Sequence, residues 1–202
     1  MASMMNKDNM FSPVPPGLYC YLFFTLGYHV QDSIEHKFFK KHETDYRELT
    51  IHHILTVCLY VGFMFGNLIA VGTVIAWFHD LGDIFVASSR VVNCVGLKKA
   101  TIVLYGCLMF LWIYTRCIIL PIYIYNIQMY MTHPEPSLQM LVHIENFFLC
   151  GMCALHYFWM HKLLQIAAKI VFKGELKDTL NDPDKQVAAE QAAAQADSKK
   201  MK

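Results

Sequence analysis

Residues 48–92, ELTIHHILTVCLYVGFMFGNLIAVGTVIAWFHDLGDIFVASSRVV, decide the fold. They form two predominantly apolar runs, each about as long as the ~20 helical residues that a hydrocarbon core requires. Only Gly66-Asn67 separates them. So small a break predicts a tight antiparallel helical hairpin, with one span over 48–66 and the next over 68–92. Inside these runs stand His52, His53, His79, Asp80 and Asp83. A charged side chain at the centre of a bilayer costs about 3 kcal/mol or more, so groups kept there are read as functional. His53 and Asp80 are equally far from the turn, about 20 Å along each helix at 1.5 Å per residue, which predicts a common depth. Ala76, His79, Asp80 and Asp83 follow the i, i+3, i+4, i+7 pattern and are expected to share a face.

The rest of the chain continues the pattern. Of its 202 residues 55% are apolar and 16% charged, and the charges gather between long uncharged stretches. That is the distribution of a polytopic membrane protein, not of a soluble domain. Further spans are predicted at 18–36, after the Pro13–Gly17 breaker, at 99–131 with Pro121 inside, and at 140–172, making five. The last two exceed a bilayer and should tilt or project. The first is the least apolar, with His29, Gln31 and Asp32. The expected organisation is a polar N-terminal segment (1–17) without an evident cleavable leader, a transmembrane domain (18–173), and a polar Ala/Gln/Lys-rich tail (174–202).

Lys37, Lys40, Lys41, Arg47, Arg90, Lys98, Lys99, Lys169, Lys173 and Lys177 all fall on one side of this layout, and only Lys7 on the other. The C-terminus therefore belongs on the cytoplasmic-type, positive side and the N-terminus across from it. A net charge of +1 argues against a nucleic-acid partner. The seven cysteines lie mostly in apolar runs and read as small buried residues, Cys150 and Cys153 included. Tyr123, Tyr125 and Tyr130 fit an interfacial aromatic belt.

An imidazole held by a carboxylate can take a proton from an amine or hydroxyl, or act as a nucleophile, and either role suits acyl transfer to a lipid. The competing reading makes His52 interfacial and pairs Asp80 and Asp83 with Arg90 or Arg116 as braces. Arg116 and His156 fall near the middle of their spans and could meet, or Arg116 could reach a carboxylate or a lipid head group. A histidine-rich membrane oxygenase is weighed against by spacing. Only His52-His53 form a tight pair among ten histidines, without an H-x-x-H-H or H-x-x-x-H repeat, so neither metal nor cofactor is expected.

These residues also carry a resemblance. KHETDYRELTIHHILTVCLYVGFMFGNLIAVGTVIAWFHDLGDIFVASSR (41–90) resembles the Lag motif of ceramide synthases, which belong to the TLC-domain family. There a basic-Asp-aromatic stretch leads to HH-x-x-T-x-x-L, an Asn, a Gly and HD-x-x-D. WIYTRCIILPIYIY (112–125) is similar to the family's Arg-x-x-x-x-Pro span, LHYFWMHKL (155–163) to its Leu-His-x-x-Trp span, and residues 11–32 to the segment before the motif. The resemblance implies an all-α TLC-like helical barrel in the endoplasmic reticulum membrane, with membrane lipids as its surroundings. It implies a fatty acyl-CoA co-substrate, a long-chain sphingoid base as acceptor, and an amide product. His52, His53, Asp80 and Asp83 become the catalytic candidates, with His79 in the same group. One of the paired histidines would be the base or transient acyl carrier, oriented by Asp80 or Asp83. Asn67, Arg116, His156 and Trp159 are the implied lipid- or substrate-binding residues.

The departures remove polar groups: Phe63-Met64 stand where the family has Ser-Tyr, Ala70 where it has Arg, and Ala87 where it has Glu. The six-helix barrel is also expected to lack its leading helix here, so a membrane-protein partner or oligomer would complete it. These points support a second reading: a non-catalytic TLC-fold subunit, structural or lipid-binding, in a larger membrane complex, for example of the mitochondrial inner membrane.

Overall fold

A computed structural model describes residues 14–41, 45–132 and 135–173; the polar tail and most of the polar N-terminal segment lie outside them. The regular structure of the described residues is helical throughout. It comprises α1 (Pro16–Phe39), α2 (Tyr46–Phe65), α3 (Ile69–Cys94), α4 (Lys98–Trp112), a π-helical segment (Ile113–Ile119), α5 (Leu120–Tyr130), a 3-10 turn (Pro136–Leu138) and α6 (Gln139–Lys173). From α4 through α5 the chain is one continuous rod, so five rods occupy the places of the five expected spans. Four stretches, Tyr46–Phe65, Ile69–Cys94, Lys98–Tyr130 and Pro136–Ile170, are long and apolar enough to cross a membrane. The 24-residue α1 has the length, but carries Asp32, Glu35 and Lys37 and is not among them.

The surface is inverted relative to a soluble protein. Phe24 (82% exposed), Phe39, Phe65, Phe110 and Phe147 face outward, whereas His29, His36, His53, Arg116, Glu145, Asn146 and His156 are buried. Large aromatics on the outside with ionisable groups inside is the arrangement that lipid selects, and the chain is an integral membrane protein. The seven cysteines are free, and none is buried as the sequence reading expected. Cys20, Cys94, Cys107 and Cys150 lie on the outer face, because a thiol is apolar enough to meet lipid and the core positions are taken by larger side chains.

Both tight turns end a helix in the same way. After α2, Asn67 takes φ 51°, Leu68 N–H donates to Phe63 C=O (2.8 Å), and Asn67 N–H donates to Met64 C=O (3.3 Å). After α3, Gly96 takes φ 81°, Leu97 N–H donates to Val92 C=O, and Gly96 N–H donates to Asn93 C=O. These are Schellman motifs, which need a left-handed residue that only Gly and, less readily, Asn supply.

Around the bundle α1 packs on α2 and α3, α2 on α6, α6 on the π segment and α5, and α4 on α3, which closes a ring. Pro121 sets the geometry of the long rod. It has no N–H to give the Cys117 carbonyl, which instead accepts the Tyr157 hydroxyl of α6 at 3.0 Å. Leu120 N–H reaches back five residues to Thr115 C=O, the π pattern, and this extra residue in the turn carries Arg116 to the inside, 2% exposed.

Candidate functional site

Between α2, α3, α4 and α6, with α1 at one edge, lies a cavity of about 380 Å³. Leu49, Val86, Leu108, Trp159, Leu163 and Ile166 make its walls apolar. Lys40, Arg90, Asn93 and Thr101 line it at the loop end, on the face where the basic residues collect. Deeper in, His52, His53, Asp32, Asp83 and Arg116 converge on it. On this side the Tyr105 hydroxyl bridges from α4 to the Leu163 carbonyl of α6 at 2.6 Å.

His52 is part of the wall of this cavity and of a smaller one of about 30 Å³, shared with His29, Thr56, Tyr60 and His79. Its Nδ1 is 3.0 Å from Met152 Sδ, and Trp159 packs edge-on at 5.2 Å between ring centroids. Among the described residues Nε2 has no hydrogen-bond partner. His53 is buried, and neither ring nitrogen has a hydrogen-bond partner. The nearest charge is Asp32 of α1, Oδ2 to Nε2 3.7 Å, and the His36 ring lies 5.1 Å away.

His79 turns the other way. Its Nδ1–H donates to Ile75 C=O at 2.8 Å, so with both rings neutral its Nε2 accepts from His156 Nε2–H at 2.7 Å. His156 is fully buried, and its Nδ1 makes no hydrogen bond. Asp80 accepts the Tyr21 hydroxyl of α1 at 2.5 Å. Asp83 accepts Arg116 Nη2 at 2.7 Å, and the same nitrogen donates to His79 C=O at 2.8 Å. The guanidinium passes directly over Gly82, where a Cβ would stand 2.8 Å from Nη2.

The shared face expected of His79, Asp80 and Asp83 is thus divided among three neighbours. Successive residues of a helix point about 100° apart, so His79 meets α6 while Asp80 meets α1. Neither carboxylate hydrogen-bonds to His52 or His53, and Asp83 instead braces Arg116. Arg116 and His156 do not touch each other, because Trp112 stands between them. The guanidinium lies 4.1 Å over the indole ring, whose edge meets the His156 ring at 5.7 Å, and Trp112 Nε1–H donates to His156 C=O at 3.2 Å. Asn67 is remote from both cavities. It is the left-handed turn residue after α2, touched by the Tyr19 hydroxyl at 3.4 Å.

Motif reading missed the contribution of α1. His29, Asp32 and His36 recur at i, i+3, i+7, a helical face visible in the sequence, and the two histidines are buried against α2. Just beyond α1, Lys40 Nζ sits 3.4 Å from Asp32 Oδ1 and 3.5 Å from Glu35 Oε1. Partial burial works against its ammonium, but Asp32 and Glu35 outweigh that and hold Lys40 above the ordinary lysine value. Among the described residues no three His, Cys, Asp or Glu side chains converge as a metal-ligand set.

A family model described as TLC domain matches residues 1–165. The chain belongs to the TLC-domain family. Within it the chain is ceramide synthase-like: it is similar to ceramide synthase 4 of Homo sapiens (27% identical over 184 residues, 89% of this chain and 45% of that protein). It is also similar to ceramide synthase hyl-2 of Caenorhabditis elegans (23% over 192 residues, 87% and 56%). A third relative is a sphingosine N-acyltransferase-like protein of Gibberella moniliformis (26% over 181 residues, 84% and 46%). The chain spans about half the length of these curated relatives. No solved structure matches it.

Proposed function

We propose that this protein is a ceramide synthase-like N-acyltransferase of the endoplasmic reticulum membrane, moving a fatty acyl group from acyl-CoA to the amino group of a long-chain sphingoid base. One observation carries the reading: His52, the first histidine of the HH pair, stands with an unengaged Nε2 in the wall of a 380 Å³ apolar cavity that also holds Arg116 and Asp83. Apolar walls suit the alkyl chains. Lys40 and Arg90 at the loop end suit a phosphate-bearing donor arriving from the positive face. His52 Nε2 acts as base or transient acyl carrier, and Arg116 supplies positive charge for the oxygen of the tetrahedral intermediate.

The test is N-acylation of a long-chain base by the purified, lipid-reconstituted protein with its copurifying membrane partners, across a panel of acyl-CoAs. Turnover should fall by roughly 10²–10⁴-fold in His52→Ala, the usual contribution of a positioned acid/base group. A folded native preparation without turnover overturns the reading and leaves a lipid-binding subunit.

A further inference from the structure

His53 presents a problem that the HH motif does not solve. It is 7% exposed and lines the cavity, yet neither of its ring nitrogens has a hydrogen bond, and no carboxylate of α3 reaches it. Among the described residues its ion-pair contact comes from α1. Asp32 Oδ2 is 3.7 Å from His53 Nε2, and the other oxygen, Oδ1, is 3.4 Å from Lys40 Nζ. The carboxylate therefore already has an ammonium against one oxygen and an imidazole near the other, and all three groups line the cavity. Asp32 is one of three charged residues, with Glu35 and Lys37, that make α1 less apolar than the other four rods, and a charge in hydrocarbon is costly to keep.

We propose that Asp32 and His53 form a subsite for a long-chain primary amine: Asp32 receives the ammonium in the manner in which it now receives Lys40, and His53 takes a proton from it. Charge-assisted hydrogen bonding selects the protonated amine over a neutral alcohol of the same length, and the apolar walls take the chain. The chemical step rests on the acyltransferase reading above. An N–H bond of the ammonium breaks and its proton passes by way of the Asp32 carboxylate to the His53 lone pair. The amine nitrogen then bonds to the thioester carbonyl carbon, His52 takes the second amine proton and gives it to the sulfur, and the C–S bond breaks to release the thiol. His53 returns the first proton through Asp32 to water in the cavity. Labour is thereby divided: α1 and His53 hold the acceptor, while His52 and Arg116 face the acyl carbonyl.

The experiment measures binding of a long-chain primary alkylamine, and of the alcohol of equal length, to the full chain in nanodiscs of phosphatidylcholine. Native protein should prefer the amine by about tenfold to a hundredfold, the contribution of a hydrogen bond to a charged group. Asp32→Asn should bring the two ligands within about twofold, and Asp32→Glu should recover part of the difference. Lys40→Met should change affinity in the opposite direction, tightening amine binding, because the resident ammonium no longer competes; this variant decides the matter even if Asp32→Asn does not fold. Equal affinity for amine and alcohol in the native chain, or an unchanged preference in Asp32→Asn, overturns the subsite. An amine preference without N-acylation removes the reaction and keeps the subsite. N-acylation that Asp32→Asn leaves intact does the reverse.

Discussion

The two ends of the bundle are built from the same helices and treat their interior differently. At the end away from the basic residues, Leu59, Phe63, Leu68, Val71, Ile75 and Leu149 belong to one apolar cluster. There glycines receive side chains of neighbouring helices. A Cβ on Gly72 would stand 2.5 Å from the Phe63 ring, and one on Gly62 would stand 1.7 Å from Glu145 Oε1. At the basic end, Leu108, Trp112, Trp159, Met160 and Leu163 pack into a second cluster that leaves the cavity beside it. At the first end glycines make room for side chains of the neighbouring helices, and at the second large aromatics frame open space. Stability and substrate space are thereby assigned to opposite ends, with Arg116 at the junction.

Arg116→Leu attacks that junction and should have the largest effect. It leaves Asp83 without its cation and the His79 carbonyl without a donor, and should cost about 3 kcal/mol, the low end for removing one partner of a buried pair because Asp83 is 55% exposed. The thermal midpoint in detergent reads this. Adding Asp83→Asn should restore part of it, and strictly additive losses would show that the pair is not coupled. Gly72→Ala should cost about 2 kcal/mol by overpacking against Phe63 while leaving amine binding unchanged. A loss of ligand affinity there would break the separation of the two ends. Tyr157→Phe frees the Cys117 carbonyl and should cost about 1 kcal/mol, measured by the same melting experiment. Smallest of all, Ala87→Leu adds carbon to a cavity-lining position and should change stability by no more than about 0.5 kcal/mol. Its effect should appear instead as a shift of preference toward shorter alkyl chains.

Much of the fold is legible in the chain itself. The rods follow from apolar runs long enough to be helical in lipid, and the α2–α3 hairpin follows from a two-residue break. The candidate site was only partly legible. His52 and His53 do reach one cavity, but their expected partners Asp80 and Asp83 are taken by Tyr21 and Arg116. Spacing along one helix states which residues share a side. It does not state how that helix is rotated against three others.

By itself the sequence determined the helices, their order and their charge asymmetry, because these depend on local composition and on the cost of placing charge in hydrocarbon. It also contained the polar face of α1 and the Arg116-to-Pro121 spacing, without saying what either was for. Only the tertiary structure decided that Pro121 opens a π turn that carries Arg116 inward over Gly82, and that Asp32 faces His53 across the α1–α2 boundary. The physical reason is that these contacts join residues on different rods. A hydrogen bond or ion pair exists only within a few tenths of an ångström of its proper distance, and that is fixed by how all the rods pack together.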